Sequence, residues 1–291
     1  MLPLVLSLWI CSADPAVSHQ TANPLYRDLI EQGLLIGPDL RTKLPAPTIP
    51  DGLTREKQTA AIKDLIAADY QYEEFTRQSV VAPQLLRIRD VMPSDPKAPA
   101  RGVHVWFVAY GDFAATEDEE SLDRLVNVGR GEGKAKALTK DDLAKRNIQL
   151  TPGAEDREGY GHLEFDFLER VRLQVTGRAM WSRTAESVVA AAIIDPRFVN
   201  DPDYPNQWRS ISKETGELKV GPPHPWSGAG FYLKVTKLQE PVGALFIEQH
   251  IIYAEPHGWF DGTPILRSKL PPVVQNNVRN MRREWLKATG K

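Results

Sequence analysis

His162-Leu-Glu-Phe-Asp-Phe-Leu-Glu-Arg-Val-Arg-Leu-Gln-Val175 is the stretch on which the fold turns. Its odd positions hold Leu163, Phe165, Phe167, Glu169, Val171, Leu173 and Val175. Its even positions hold His162, Glu164, Asp166, Leu168, Arg170, Arg172 and Gln174. Alternation with period two places one set on a dry face and the other on a wet face, which is the pattern of a half-buried β-strand. The spacing predicts a strand from His162 that runs on past Gly177 to Trp181, bending at the glycine.

Reading outward from there, more strands follow. Ser182 to Ala185 turns, and Ser187 to Ile194 returns as a strand that Asp195-Pro196 ends. Trp208–Ser212 and Leu218–Val220 flank Lys213-Glu214-Thr215-Gly216 as a short hairpin. Phe231–Leu238 and Leu245–Ala254 are the last two strands, with Glu240-Pro241-Val242-Gly243 turning between them. Upstream, Gln84–Met92 predicts a strand, and Val103–Phe113, rich in β-branched and aromatic residues, predicts another. Between them and the central strand lie two short helices, Glu117–Val128 and Thr139–Arg146, joined through the flexible Gly129–Gly133 link. Val274, Val278, Met281 and Trp285 then make one apolar stripe. They predict a C-terminal helix from Pro272 to about residue 288.

The N-terminus reads differently. Leu2–Ile10 is an apolar run too short to span a bilayer. Cys11-Ser12-Ala13 follows and fits a secretory cleavage site after Ala13, so residues 1–13 read as a signal peptide and the protein as extracytoplasmic. A lipid anchor on Cys11 is the alternative. Residues 14–53, with Pro45, Pro47 and Pro50, read as an extended Pro-rich leader. Thr54 then caps a helix over about 55–78, and 54–291 reads as a single α+β domain.

Composition narrows the function classes. Lys plus Arg is 36 and Asp plus Glu is 38, a net charge of -2 that argues against an electrostatic nucleic-acid binder. The single cysteine excludes a disulfide framework and Cys-rich metal sites. No segment after the N-terminal run reaches transmembrane length. Gly129–Gly133 lacks the lysine spacing of a phosphate loop, and no nucleophile-elbow or zinc-protease motif is present. No cofactor is implied.

The candidate site residues are few. His162, Glu164 and Asp166 share a strand face. Alternate residues stand about 6.5–7 Å apart, so two can reach one metal, with His104 or His250 needed to complete it. Glu248 and His250 share another face and could act as an acid–base pair. For both groups a solvated or cross-strand polar face is the plainer reading. Glu169 and Gln249 each interrupt an apolar face and would point into any cavity that face lines. Trp226 and Trp259 sit in loops, where aromatics either grip a ligand or lid the core. Asp118-Glu119-Glu120 reads as a helix start.

The order of elements, one strand, two short helices, an antiparallel meander and a long last helix, resembles the helix-grip domains of the START and Bet v 1-like superfamily. The closing stretch Ile252-Tyr253-Ala254-Glu255-Pro256-His257-Gly258, then Asp261-Gly262-Thr263-Pro264 before the helix, adds to that likeness, which covers roughly residues 100–288. The resemblance implies an α+β fold: a curved antiparallel sheet of six to eight strands packed on the C-terminal helix, with a helical N-terminal extension. It also implies an apolar cavity between sheet and helix. The function expected is a non-enzymatic binding module for an apolar ligand such as a lipid, with Glu169, Gln249 and Trp259 as its contacts. An exported metal-assisted hydrolase built on His162, Glu164 and His250 is the alternative, and a structural or interaction domain without a small ligand is a third. Oligomeric state is not readable.

Overall fold

The computed structural model describes residues 18–36, 40–91, 100–117, 133–214, 217–256, 259–260 and 265–288. In chain order the helices are α1 (His19–Ala22), α2 (Pro24–Glu31), α3 (Arg55–Ile66), α4 (Tyr72–Phe75), α5 (Lys140–Ala144) and α6 (Ile265–Ala288). The strands are β1 (Leu34–Ile36), β2 (Leu40–Thr42), β3 (Gln84–Val91), β4 (Ala100–Tyr110), β5 (Gly133–Ala137), β6 (Glu158–Phe167) and β7 (Val171–Arg183). They continue with β8 (Ser187–Ile194), β9 (Gln207–Glu214), β10 (Glu217–Val220), β11 (His224–Pro225), β12 (Ala229–Lys237) and β13 (Ala244–Ala254). The expected signal segment, the Asp118-Glu119-Glu120 helix start and all but the last glycine of the Gly129–Gly133 link lie outside the described residues.

β1 and β2 form a hairpin of their own, and the other strands form one 11-stranded sheet. Its continuous path has the eight strands β10-β9-β7-β8-β12-β13-β4-β3, with β6 and then β5 beside β7, and β11 beside β9. All pairs are antiparallel. The fold is therefore α+β, an antiparallel sheet packed on a long C-terminal helix.

The central stretch is a hairpin rather than one strand. β6 and β7 pair Phe167 with Val171, Phe165 with Leu173 and Leu163 with Val175. The turn is Leu168, Glu169 and Arg170, with φ of 52° at Leu168 and 57° at Glu169. A three-residue turn joins odd positions to odd positions, so the alternation passes through the reversal unbroken. The pattern that predicted one long strand is the same pattern in either topology. Past it, β7 runs through Gly177 as expected. A Cβ there would lie 2.6 Å from the Ile193 carbonyl oxygen, so the close approach of β8 requires glycine.

Each strand has two faces. Val103, Val105, Phe107, Leu173, Val175, Leu233, Val235, Leu245 and Ile247 form the inner core with Leu266, Leu270, Val278, Met281 and Trp285 of α6. The alternate residues form the outer face, which is covered by the N-terminal chain. Leu25, Tyr26 and Leu29 of α2 pack with Met180, Val189 and Tyr232, and Ile49 packs with Ile62, Trp106 and Phe246. A Cβ on Gly230 would meet Leu29 and Leu34 at 3.1 and 3.0 Å, which shows how closely this layer lies. Residues 18–53, expected as an extended leader, thus supply an outer layer. Its helix is fixed by Asn23, whose side chain accepts from the Tyr26 N–H at 2.9 Å, with Pro24 at the first helical position.

Two helix boundaries differ from expectation. The 55–78 helix is α3 followed by the separate turn α4. α6 begins at Ile265, ahead of Pro271 and Pro272, which lie inside it. Proline removes a backbone donor and disfavours a helix interior, but Leu266 and Leu270 bury on the same stripe as Val278 and Trp285. Tertiary burial outweighs the local preference. Farther along, Arg282 is buried and donates to the carbonyls of Val108 (2.8 Å), Ala82 (2.5 Å) and Pro83 (2.8 Å). Burial pushes its pKa down to about 10. This clip holds α6 over β3 and β4.

Candidate functional site

The placement of α6 leaves part of the inner face less covered. Two cross-strand rows define it. One runs Leu86, Val105, Gln249, Leu233, Ala190, Trp181 across β3, β4, β13, β12, β8 and β7. The next runs Ile88, Val103, Ile251, Phe231, Ala192, Ala179. Val105 and Leu233 are buried, yet Ala179, Ala192, Phe231, Ile251 and Trp181 are only partly so, although they stand on interior strands. Ala229, on the following row beside Ile194, is partly open as well. The floor over β7, β8 and β12 is therefore set with small side chains and edged by Trp181, Phe231 and Ile251. We call this partly open apolar strip of the inner face, next to the strands that α6 covers, the trough. Apolar surface left accessible in the middle of a sheet is the informative observation, since polar exposure is the norm.

Gln249 is the polar residue in this setting. Along its strand face it lies between Ile247 and Ile251, and across the sheet between Val105 and Leu233. It is partly buried. Trp259 lies in an aromatic nest at one end of the inner core. Its ring is 5.1 Å from Trp226 and stacks on Tyr253 at 6.0 Å, with Phe167 at 6.0 Å. Trp259 Nε1 and Tyr253 Oη are both buried without a hydrogen-bond partner among the described residues. Trp226, by contrast, donates to the Ala254 carbonyl at 3.0 Å.

Glu169 does not enter the trough. It sits in the β6–β7 turn with its side chain 79% exposed, 4.0 Å from Lys269 Nζ. The reading that placed it on an inward face assumed a continuous strand, and the turn carries it out into solvent.

The metal candidates do not converge. His162 hydrogen-bonds Thr176 Oγ1 through Nδ1 at 2.7 Å, and Glu164 accepts from Gln174 Nε2 at 2.9 Å. Burial lowers the His162 pKa. Asp166 is held by Arg172. His250 lies on β13, four strand spacings from β6, or roughly 19 Å along the sheet. Among the described residues no group of three His, Cys, Asp or Glu side chains could hold a metal ion.

His250 belongs instead to a polar network sealed on the outer face. His104 and His250 hydrogen-bond through their Nδ1 atoms at 3.0 Å, and His250 Nε2 meets Glu248 Oε2 at 3.3 Å. Glu248 also accepts from the Thr48 N–H at 2.8 Å, and Trp106 Nε1 donates to Thr48 Oγ1 at 3.0 Å. Beside it, Lys234 donates to the Ile49 carbonyl (2.7 Å) and to Asp51 (2.8 Å), and Tyr232 donates to the Pro45 carbonyl (2.8 Å). Asp51 accepts in addition from Ser187 and Thr184, each at 2.6 Å. Since Ser187 gives its proton to Asp51, His19 Nε2 must donate to Ser187 Oγ (2.7 Å), which leaves His19 Nδ1 to accept from Ser182 (2.8 Å). Burial pushes both His19 and His104 down to about 4. Despite its own burial, Asp51 is held down to about 2 by Lys234 and the hydroxyl donors.

This arrangement is a clamp. Residues 45–51 lie outside helix and strand, and buried sheet side chains bind the Pro45 and Ile49 carbonyls, the Thr48 N–H and Asp51. His19, Asp51, Lys234, Ser182 and Ser187 were not singled out in the sequence. Lys234 looked like one more outward residue of an alternating strand, and Asp51 fell within the Pro-rich leader. Only the covering layer, which the sequence disguised as a leader, gives them partners.

No family model matches the chain, and no curated protein matches it. Among solved structures, the chain is similar to the lipid transfer and protein localization domain of human StarD13. The match covers 68% of this chain and 89% of that one, at 9% identity and a TM-score of 0.34. It is also similar to an uncharacterized protein from Rhizobium leguminosarum, over 64% of this chain and 98% of that one, at 12% identity and a TM-score of 0.30. No helix among the described residues is long and apolar enough to cross a membrane.

Proposed function

We propose that this chain is a binding module that holds an apolar, lipid-like ligand in the trough over β7, β8 and β12. The observation that carries this reading is the partial exposure of Ala179, Ala192, Ala229, Phe231 and Ile251 on interior strands of the inner face. Burying that surface against a ligand is favourable at about 25 cal/mol per Å². Gln249 is the polar contact in this reading, and Trp259 closes one end. The proposal extends to an extracytoplasmic site of action after cleavage behind Ala13, which N-terminal sequencing of the exported protein tests.

Native mass spectrometry of the purified protein, followed by solvent extraction of what it carries, tests the binding. A stoichiometric apolar adduct is expected. Nile red binding should likewise saturate at one site and be lost in Ala192→Phe, which fills the trough. A protein that carries nothing and does not bind Nile red would sink the reading.

A further inference from the structure

We infer that the ligand's polar end is uncharged and that Gln249 selects it. This rests on the binding reading above and goes further, to the chemistry of the head group. Every immediate neighbour of Gln249 on its face is a hydrocarbon: Ile247 and Ile251 along β13, Val105 and Leu233 across it. The helical stripe that shares this core is Leu266, Leu270, Val274, Val278, Met281 and Trp285, also apolar. A carboxylate or ammonium placed against these described neighbours would lose its water and gain no counter-ion from them, and that penalty is severe. A neutral hydroxyl, carbonyl or amide loses far less, and the Gln249 side chain offers it both an N–H donor and a carbonyl acceptor.

The direction of selection follows from that geometry. Gln249 stands at one side of the trough, and Trp181 stands three strand spacings away on the same row, roughly 14 Å across. A molecule whose neutral polar end bonds Gln249 lays its hydrocarbon along the neighbouring, partly open row, over Ile251, Phe231 and Ala192. An alkane would fill the same surface but leave the amide unpaired. A fatty-acid anion would pair with the amide but remain a desolvated charge. Gln249 therefore acts as a specificity-determining residue that ranks alcohols, esters or amides above both.

A matched-chain series tests this on the full protein at pH 8: dodecanol, dodecanoate and dodecane, each competing with Nile red. Dodecanol should bind tighter than dodecanoate by about tenfold or more, and tighter than dodecane by about fivefold, the strength of one neutral hydrogen bond. In Gln249→Leu the preference for dodecanol over dodecane should vanish while dodecane binding holds or rises. Gln249→Met, closer in shape, should behave alike, and near-UV circular dichroism of both variants shows that the fold is kept. Tighter binding of dodecanoate by the native protein, or an unchanged alcohol-to-alkane ratio in both variants, overturns the inference while leaving the trough intact. Failure of Nile red and all three probes to bind overturns the binding reading itself, and this inference with it.

Discussion

Ala191 and Ala192 are adjacent in β8 and face opposite ways. Ala191 is sealed at 1% exposure in the outer core with Tyr232 and Met180, whereas Ala192 is partly open on the inner face beside Phe231. The same contrast separates the polar groups of the outer face from the inner face over β7, β8 and β12. The outer face carries Glu248, His250, Lys234, Ser182 and Ser187, all but fully buried. The inner face over β7, β8 and β12 carries alanines and aromatics that are not. Charged groups are sealed and hydrocarbon is left accessible, the inverse of ordinary economy. The difference separates two tasks: the outer layer holds the fold together through paired polar groups, and the inner layer keeps apolar surface in reserve.

The outer clamp should break hardest. Lys234→Met removes the cation from Asp51 and the donor from the Ile49 carbonyl. Breaking a buried pair on one side costs about 3–5 kcal/mol. Asp51 keeps its two hydroxyl donors and is 27% exposed, so the lower end, about 3 kcal/mol, is expected. Urea unfolding measures it, and a change under 1 kcal/mol would mean the clamp does not hold the outer layer.

Acid should loosen the same layer next. His19 and His104 titrate near 4 in the fold and near 6.5 when unfolded. Because their folded values are depressed, their stabilising effect is complete above pH 6.5. It falls as the unfolded chain takes up protons and is fully lost near pH 4. At pH 5.5 the loss is about 1 kcal/mol for each imidazole. Asp51, held to about 2, keeps its charge through that window. The urea midpoint should therefore drop between pH 7.5 and 5.5, and His19→Asn should show about half the drop. An undiminished drop in that variant would remove His19 from the account.

The two alanines sharpen the contrast directly. Ala191→Phe overpacks a sealed core and should cost about 2 kcal/mol. Ala192→Phe enters the trough and should change stability by less than half as much while abolishing Nile red binding. Equal destabilisation by both would mean that the inner face is as filled as the outer one.

The sequence made the sheet and its last helix readable because hydrophobic alternation is local and survives almost any topology. The same property hid the β6–β7 turn. Leu168, Glu169 and Arg170 reverse the chain without disturbing the parity of Phe167 and Val171, so Glu169 was placed on an inward face that it does not occupy. Gln249 was legible because β13 is continuous, and its face could be counted from Ile247 and Ile251. The outer network was not, because its partners come from residues 19–51, and proline density there signals extension without saying what the extended chain lies against. Pro271 and Pro272 marked a helix start that burial of Leu266 and Leu270 moved earlier.

The smallest effect tests the boundary between the two tasks. Tyr253 lies on the inner face with its hydroxyl buried and unpaired among the described residues, and burial pushes its pKa upward. An unpaired buried hydroxyl costs the fold the hydrogen bonds it made to water, so deleting it should be neutral or stabilising. Tyr253→Phe keeps the ring that stacks on Trp259 and removes only the oxygen. Its melting temperature should stay level or rise by an amount worth up to about 1 kcal/mol. If Nile red binding is also unchanged, the aromatic nest is a wall of the trough and Gln249 alone meets the polar end. If the fold is unharmed but dodecanol binding weakens, Tyr253 joins Gln249 in the polar contact.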